Sequence, residues 1–266
     1  KNRLMGTVRM NFETKREQVM RTALAALALM KTGAGLDDEA VEKALAYLKT
    51  HDTWNTGGVG ARCAAWLAAE QLGRRPKEFW KYLNHDGIRL AFSPAAGGGW
   101  KETIWNSGAH TYWTAFAVLG VRDYQRGGGK MMLPDFWAGM VQYWRNSQLA
   151  DGGWGDHGGA KDPRSDYTAA ALASLYTALD AANPRELCEY GADKPPAYLS
   201  GLPAVLDRGQ AWLAENFVKT LATNRPGISG GHRRCFYLWW ACRAGLLSGN
   251  RHFGKDDWYR GGGVRL

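Results

Sequence analysis

The chain has 266 residues, of which 45% are hydrophobic, and its formal net charge is +9 at pH 7. A chain of this size and composition can bury a substantial core, and we expect one domain over residues 1–266, whether the chain is whole or a piece of a longer protein. It contains no run of about 18 apolar residues, so we expect no transmembrane segment. Its basic residues are scattered and accompany no recognised nucleic-acid motif, so we expect a basic solvated surface and no nucleic-acid partner.

Glycine and tryptophan are the unusual residues of this composition, with 34 and 13 copies. Glycine destabilises helix interiors, so a helical protein keeps it at helix ends and turns. Here the glycines gather between apolar runs that have helical periodicity. The clusters are Gly57–Gly58, Gly97–Gly99, Gly127–Gly129, Gly152–Gly153, Gly158–Gly159, Gly230–Gly231 and Gly261–Gly263. The pattern predicts helices that are joined by glycine-rich segments.

The apolar periodicity predicts about ten helices, which fall into five consecutive pairs. Glycine breaks and aspartate caps mark several of their ends. In chain order, the pairs are Gln18–Lys31 with a helix that is capped by Asp37 or Asp38 and runs to Leu48; Val59–Leu72 with Pro76–Leu83; His110–Val121 with Pro134–Ser147; Tyr167–Leu179 with Leu202–Phe217; and Arg234–Leu247 with an amphipathic segment after Gly254.

The two helices of each predicted pair differ in character. The first carries small apolar residues on nearly all faces, as in Ala23–Leu29 and Tyr167–Leu175, and a helix that is apolar all round is buried. The second is amphipathic, as in Glu39–Lys49, so one of its faces meets water. Inner and outer helices in alternation predict an all-α fold, an α/α toroid of about five hairpins.

The segment between the third outer helix and the fourth inner helix reads Gln148-Leu-Ala-Asp-Gly-Gly-Trp-Gly155. We interpret it as a joint between the two helices. Its glutamine amide can hydrogen-bond free backbone groups at a helix end, its glycines can adopt a positive-φ turn, and its tryptophan can cover that turn. The residues to which we assign this structural role are Gln148, Asp151, Gly152, Gly153 and Trp154.

This joint resembles the QW motif of the terpenoid cyclase and protein prenyltransferase superfamily, which includes the squalene-hopene cyclases. Most of the chain resembles the prenyltransferase and squalene oxidase repeat proteins of planctomycete-type bacteria. The matching segments are 40–48, 98–100, 143–155, 168–175, 237–247 and 257–260. The resemblance implies the toroidal fold and an envelope or exported location. It also implies a further joint and inner helix after Arg260, so that the ring of this chain would be incomplete.

The resemblance also supplies a candidate catalytic acid. Class II terpene cyclases protonate an alkene with an aspartic acid at the start of an inner helix, and flanking carboxylates keep that acid protonated. Asp166 matches this position, but Arg164 and Tyr167 stand where the other carboxylates would be. A neighbouring arginine favours the ionised carboxylate, which is the wrong state for an acid. The simpler interpretation is that Asp166 is the N-cap of a helix that begins at Tyr167.

Protein prenyltransferases of the same superfamily hold a zinc ion with Asp, Cys and His side chains. In this chain His232 and Cys235 are the candidates that could face a metal from one helical turn. They do not reproduce the family's two separate ligand segments, and Cys235 lies in an apolar run that is typical of a core cysteine. We therefore expect no metal site and no other cofactor.

Several polar and aromatic residues stand at the starts of the predicted inner helices. Helix N-termini of one ring would meet at one mouth, where their partial positive charge favours a polar or anionic group. Aromatic rings at that mouth can stack on sugars or, as in the cyclases, stabilise carbocations. The cavity residues predicted on this basis are Trp105, His110, Tyr112, Trp113, Tyr167, Arg234 and Tyr237.

The leading hypothesis for function is a toroid without a complete known catalytic set that binds a ligand or partner in an aromatic-lined central cavity. The ligand would be a small hydrophobic molecule or a carbohydrate, and the partner would be a protein that completes the ring. The alternative is an isoprenoid-processing enzyme, either a squalene or terpene cyclase with Asp166 as its acid or a zinc-dependent prenyltransferase.

Overall fold

The computed structural model describes residues 2–73, 77–95, 97–103, 108–130, 132, 134–157, 160–181, 197–222 and 231–263. The side chains of these residues are described except at positions 2–16, 134, 218–222, 231–236 and 261–263. Within these ranges the chain is mostly helical, which confirms the all-α prediction. No helix in the described ranges is long and apolar enough to span a bilayer.

The described residues form ten α-helices and one short hairpin, and each predicted helical run corresponds to one of these helices. The helices are α1 (Asn2–Lys31), α2 (Glu39–Thr50), α3 (Thr56–Leu72), α4 (Trp80–Ala91), α5 (Thr111–Arg126), α6 (Pro134–Ser147), α7 (Ser165–Ala181), α8 (Leu202–Ala222), α9 (Gly231–Ser248) and α10 (Trp258–Gly263). A 3-10 helix at Ala197–Leu199 precedes α8, and strands β1 (His252–Phe253) and β2 (Asp256–Asp257) pair antiparallel between α9 and α10.

The largest difference in helix boundaries concerns α1, which the sequence pattern predicts to begin at Gln18 and which begins at Asn2. Helix α4, predicted over Pro76–Leu83, also differs, since it ends at Ala91. It begins at Trp80, because the Glu70 carboxylate accepts hydrogen bonds from the backbone amides of Lys77 and Phe79, the latter at 2.7 Å, and so holds these residues in a turn. The pattern also does not predict the β1–β2 hairpin, since strands of two residues leave no readable alternation.

Backbone contacts divide the chain into two compact units. The first comprises Lys1–Pro94, Trp100–Ser107 and Phe116–Met132, and the second comprises Ala95–Gly99, Gly108–Ala115 and Leu133–Leu266. In the first unit, α1 packs on α2 and α3, and α3 packs on α4. In the second unit, α7 packs on α6, α8 and α9, and α8 also contacts the hairpin. The expectation of a single domain stays a prediction.

Burial confirms the predicted difference between the two helices of a pair for α3, α5 and α7. Helix α3 is buried from Thr56 to Ala69, and α5 and α7 are buried on most of their faces. Helix α4 instead buries a stripe that includes Leu83 and Leu90. Helix α1 departs from the prediction, since Ala25 and Ala28 are exposed within its alanine-rich stretch. Its described part therefore buries one face, against α2 and α3, and not its whole circumference.

Two segments that follow amphipathic helices share several backbone contacts, and we call them the first joint (residues 95 and 97–100, after α4) and the second joint (Leu149–Trp154, after α6). In each joint the amide of the first residue donates to the carbonyl of the glycine just before the tryptophan, Gly99 or Gly153, at 2.6 and 2.9 Å respectively. The amide of the preceding glycine, Gly98 or Gly152, donates back to the carbonyl of that first residue, at 3.0 and 2.9 Å. Gly98 and Gly152 have φ values of +90° and +96°, the left-handed turn predicted for the joint glycine.

The joint tryptophans are also equivalent. The indole Nε1 of Trp100 donates to the carbonyl of Leu90 at 3.0 Å, and that of Trp154 donates to the carbonyl of Trp144 at 2.8 Å. Both indoles are almost wholly buried, so a hydrogen-bond partner for the N–H is needed to offset its desolvation. The same contact between a joint tryptophan and the preceding helix therefore occurs in both joints, one helix pair apart.

The side chains of Gln148 and Asp151 connect the second joint to α8. The Gln148 amide donates to the carbonyls of Gly152 and Val205, both at 2.9 Å. The Asp151 carboxylate accepts a hydrogen bond from the Trp212 indole at 3.1 Å. The glutamine therefore bonds one backbone carbonyl within the joint and one within the next amphipathic helix.

The first residues of α3 and α5 are hydrogen-bonded in the same way to the residues that follow the two joints. The hydroxyl and amide of Thr56 donate to the carbonyls of the two residues that follow Trp100, at 2.6 and 2.9 Å. The hydroxyl and amide of Thr111 donate to the carbonyls of the two residues that follow Trp154, at 2.7 and 2.9 Å. Each buried helix thus begins at a fixed contact with the chain just beyond a joint.

The turn of the first joint can be tested with two adjacent glycines. Gly97 and Gly98 have similar φ values of +93° and +90°, but a Cβ on Gly97 would meet nothing within 4 Å, whereas a Cβ on Gly98 would lie 2.1 Å from the carbonyl oxygen of Gly139. Gly97→Ala should cost only the left-handed strain of roughly 1–2 kcal/mol. Gly98→Ala should lower the free energy of unfolding in urea by about 1–3 kcal/mol more, the usual cost of overpacking. Equal losses would contradict this account of the turn.

The hydrogen bond from the Thr111 hydroxyl to the Gly155 carbonyl at the start of α5 predicts that stability requires a hydroxyl at position 111. Thr111→Val keeps the shape of the fully buried side chain but leaves the Gly155 carbonyl without its hydroxyl donor, so it should destabilise the protein by about 1–3 kcal/mol. Thr111→Ser keeps the donor and should recover most of that loss. Urea unfolding of both variants measures the difference, and a valine variant as stable as wild type would show that the tie contributes nothing.

Candidate functional site

Four of the predicted cavity residues lie together at the starts of α5 and α7, within the second unit. The ring centroids of His110 and Trp113 are 6.1 Å apart, those of His110 and Tyr167 are 5.7 Å apart, and those of Tyr112 and Trp113 are 5.2 Å apart. All four side chains are half-buried. We call these four residues the aromatic cluster, and each of its rings keeps part of its surface exposed.

His110 holds the N-terminus of α5 as well as belonging to the cluster. Its ring Nδ1 lies 3.2 Å from the backbone amide of Tyr112 and accepts a hydrogen bond from it, which requires an unprotonated Nδ1. Burial lowers the pKa of His110 below its usual value of 6.5, and the positive charges of His157 and Arg164 act in the same direction. The imidazole is therefore a neutral group at pH 7, with Nε2–H as its remaining donor.

Arg164 and Asp166 form a charged pair beside the aromatic cluster. The guanidinium donates from Nε and Nη2 to the two carboxylate oxygens, at 3.1 and 2.7 Å. It also lies 4.5 Å from the ring centroid of Tyr167, a cation–π distance. Both side chains keep some exposure, 36% for Arg164 and 15% for Asp166. The guanidinium and carboxylate thus place hydrogen-bond donors and acceptors beside the ring of Tyr167.

The position of Asp166 corrects the prediction that it caps α7. The helix begins at Ser165, one residue before Asp166, so the carboxylate lies in the first turn and not at the N-cap. Its described hydrogen bonds are those from Arg164. A negative charge in the first turn still interacts favourably with the helix dipole, which accounts for an aspartate there without a capping bond.

The segment after the second joint adds further polar groups near His110. The Asp156 carboxylate accepts a hydrogen bond from the ring of the exposed His157. Although partial burial opposes the shift, this hydrogen bond and the nearby imidazoles lower the pKa of Asp156. The backbone carbonyl of Asp156 accepts a hydrogen bond from the amide of Thr111, so this segment is fixed to the start of α5.

Tyr237, another predicted cavity residue, does not share the exposure of the aromatic cluster. Its side chain is 2% exposed, its hydroxyl donates to the carbonyl of Phe217 at 3.3 Å, and the hydroxyl of Ser165 lies in hydrogen-bonding contact with it. Burial raises the pKa of Tyr237 well above its usual range. It therefore supports the start of α7 from within the core of the second unit.

The remaining predicted residues lie outside the described part of the structure. Trp105 falls in the undescribed segment 104–107, and the side chains of Arg234, His232 and Cys235 belong to the undescribed first turns of α9. Among the described residues, no three His, Cys, Asp or Glu side chains come together as ligands for a metal ion.

Comparison of the chain with protein-family models, with curated proteins and with solved structures finds no match in any of the three. The resemblance to the terpenoid cyclase and prenyltransferase superfamily stays a prediction from the sequence motifs. The function proposed below therefore rests on the geometry of the second unit.

The sequence pattern does not single out Asp156, His157 or the pairing of Arg164 with Asp166. The signal that could have found the first two is their position directly after the second joint, where the backbone meets the start of α5. Arg164 was expected to stand near Asp166, but only the folded turn shows that both carboxylate oxygens receive its N–H groups.

The cap formed by His110 predicts a pH dependence of stability. Because the pKa of folded His110 lies below 6.5, the unfolded chain binds the proton more readily. Its contribution to stability is complete above pH 6.5 and is lost as the pH falls from 6.5 through the folded-state pKa. His110→Asn keeps a capping acceptor without titrating, so the free energy of unfolding should depend less on pH in this window. His252→Asn, at an exposed position in β1, should retain the wild-type dependence. Parallel pH profiles for wild type and His110→Asn would contradict the assignment.

Proposed function

We propose that the chain is a non-catalytic helical-repeat module of the α/α-toroid type that binds a carbohydrate at the aromatic cluster. One observation carries the proposal: half-buried aromatic rings stand beside the exposed edge of the Arg164–Asp166 pair. Sugars present apolar C–H faces, which pack on aromatic rings, and hydroxyl groups, which need both donors and acceptors. The cluster and the pair supply these two kinds of surface side by side.

The toroidal part of the proposal is supported by repetition within the chain. The two joints share the same turn, the same indole contact and the same tie to a buried helix, and buried helices α3, α5 and α7 alternate with amphipathic ones. Stacked repeats of a buried and an amphipathic helix are the building plan of helical-repeat folds.

The choice of a carbohydrate over an apolar ligand follows from the charges. A terpenoid site is dry and apolar, and a charged pair placed against a hydrocarbon loses hydration without gaining partners. Sugar hydroxyls can instead bond to the free edges of the guanidinium and carboxylate. The neutral imidazole of His110 adds a donor, Nε2–H, which suits a sugar oxygen.

The isoprenoid-enzyme alternative draws no support from the same geometry. An acid that protonates an alkene must direct a carboxyl oxygen at its substrate, whereas both carboxylate oxygens of Asp166 accept hydrogen bonds from Arg164. A ligand-binding role needs no proton transfer and uses the pair as it stands.

Glycan binding is the measurement that tests the proposal. We expect the protein to bind oligosaccharides on a glycan array, with dissociation constants confirmed by calorimetry. Trp113→Ala and Tyr167→Ala should each weaken binding by roughly tenfold, as expected for aromatic anchors. Tyr259→Ala removes an exposed ring from α10 of the same unit and should leave the affinity unchanged.

Two results would contradict the proposal. One is the absence of glycan binding at millimolar sugar, with a folded protein verified by circular dichroism. The other is conversion of squalene or of a prenyl diphosphate by the wild type and its loss in Asp166→Asn, which would assign the site to an enzyme.

A further inference from the structure

A small pocket lies beside Trp54 at the start of α3, within the first unit. Its volume is about 150 Å³, below the roughly 300–1,000 Å³ of pockets for drug-sized ligands, and it suits one small ring. The lining side chains that bear on its chemistry are Trp54, Thr56, Arg89, Ser93 and Lys101.

Trp54 is held from one side and open on the other. Its side chain is 60% exposed, which is unusual for tryptophan in a protein that buries most of its described indoles. The guanidinium of Arg89 lies 4.6 Å from the ring centroid, and it is fixed there by hydrogen bonds to the Asp52 carboxylate at 2.7 Å and the Thr53 carbonyl at 2.6 Å. Arg89 thus holds the indole in place, and a second ring can stack on the part of the indole that is exposed to solvent.

The charge of the pocket selects an anionic ligand. Its described lining contains no carboxylate and two cations, Lys101 and Arg89, of which Arg89 is already paired with the Asp52 carboxylate. The backbone of Lys101 is fixed because its carbonyl accepts the Thr56 hydroxyl at 2.6 Å. The net charge of +9 for the whole chain also favours the approach of a polyanion.

We propose that this pocket binds an acidic sugar, a pyranose ring that carries a carboxylate. The ring stacks on the open face of Trp54, the carboxylate faces Lys101, and the exposed Ser93 hydroxyl bonds to the sugar. The inference rests on the proposed function and names its ligand class, an acidic polysaccharide rather than a neutral one.

Calorimetry with a short oligogalacturonate and with its carboxyl-reduced neutral counterpart tests the inference. The wild type should prefer the acidic sugar, and the preference should fall as the salt concentration rises. Trp54→Ala should weaken binding of the acidic sugar by roughly tenfold. Lys101→Gln should weaken it by about three- to fivefold and remove the preference over the neutral sugar.

Conservative and distant variants serve as controls. Trp54→Tyr keeps a stacking ring and Lys101→Arg keeps the charge, so both should retain most of the affinity. Phe92→Ala removes a ring that is 84% exposed in the same unit but does not line the pocket, and it should bind like wild type.

The outcomes separate this inference from the proposed function. Equal binding of both sugars that is insensitive to Trp54→Ala but lost in Trp113→Ala would overturn the inference and leave the proposed function standing. Binding of the acidic sugar that is lost in Trp54→Ala but unchanged in Trp113→Ala and Tyr167→Ala would support the pocket and overturn the aromatic cluster as the site. Stronger binding of a single-stranded oligonucleotide than of either sugar would overturn the ligand class.

Discussion

The start of a buried helix is the most demanding place in this fold, because its first amides have no partner within the helix and no access to water. At α3 and α5 the problem is solved by a threonine whose amide and hydroxyl both donate to carbonyls just beyond a joint tryptophan. Since these acceptors come from a segment that follows the next amphipathic helix, each buried helix is positioned by a later part of the chain. The position of each of these two helices, the turn of the joint and the threonine hydrogen bonds therefore depend on one another.

The joints show which residues of the motif are essential to this arrangement. Gly98 and Gly152 share a positive φ, and Trp100 and Trp154 share the indole contact, so these two residue types build the turn. Gln148 is different, because proline occupies the equivalent position before the first joint and the turn forms all the same. The glutamine adds a bond from the second joint to α8. The motif is better described as a Gly-Gly-Trp turn to which a glutamine lends one further tertiary contact.

Local patterns predicted most of the secondary structure, since apolar periodicity and glycine spacing depend on neighbouring residues. The features that local patterns did not predict depend on contacts between different helices or between a helix and the segment that follows it. The start of α4 depends on the Glu70 carboxylate in the preceding helix, and the exposed face of α1 depends on which helices pack beside it. For the candidate site, the positions of aromatic residues at predicted helix starts led us to expect them near one another, and the rings of His110, Trp113 and Tyr167 lie within 6.1 Å of a neighbour, while a central cavity stays a prediction. The burial of Tyr237 was not predictable, because the sequence alone does not show which of these aromatic side chains are buried in the core.

The residue just before each of the buried helices α3, α5 and α7 differs in its chemistry. Asn55 precedes α3 and its side chain accepts the amide of Gly58 at 2.9 Å, while His110 precedes α5 and accepts the amide of Tyr112 at 3.2 Å. Arg164 precedes α7, has no acceptor atom in its side chain, and directs its guanidinium to Asp166 instead. At α3 this residue caps the helix and also donates to the Glu102 carboxylate, at α5 it caps the helix and belongs to the aromatic cluster, and at α7 it pairs with an aspartate of the first helical turn. Because the joint turn and the threonine ties do not use this side chain, its chemistry can change while they hold the helices in place.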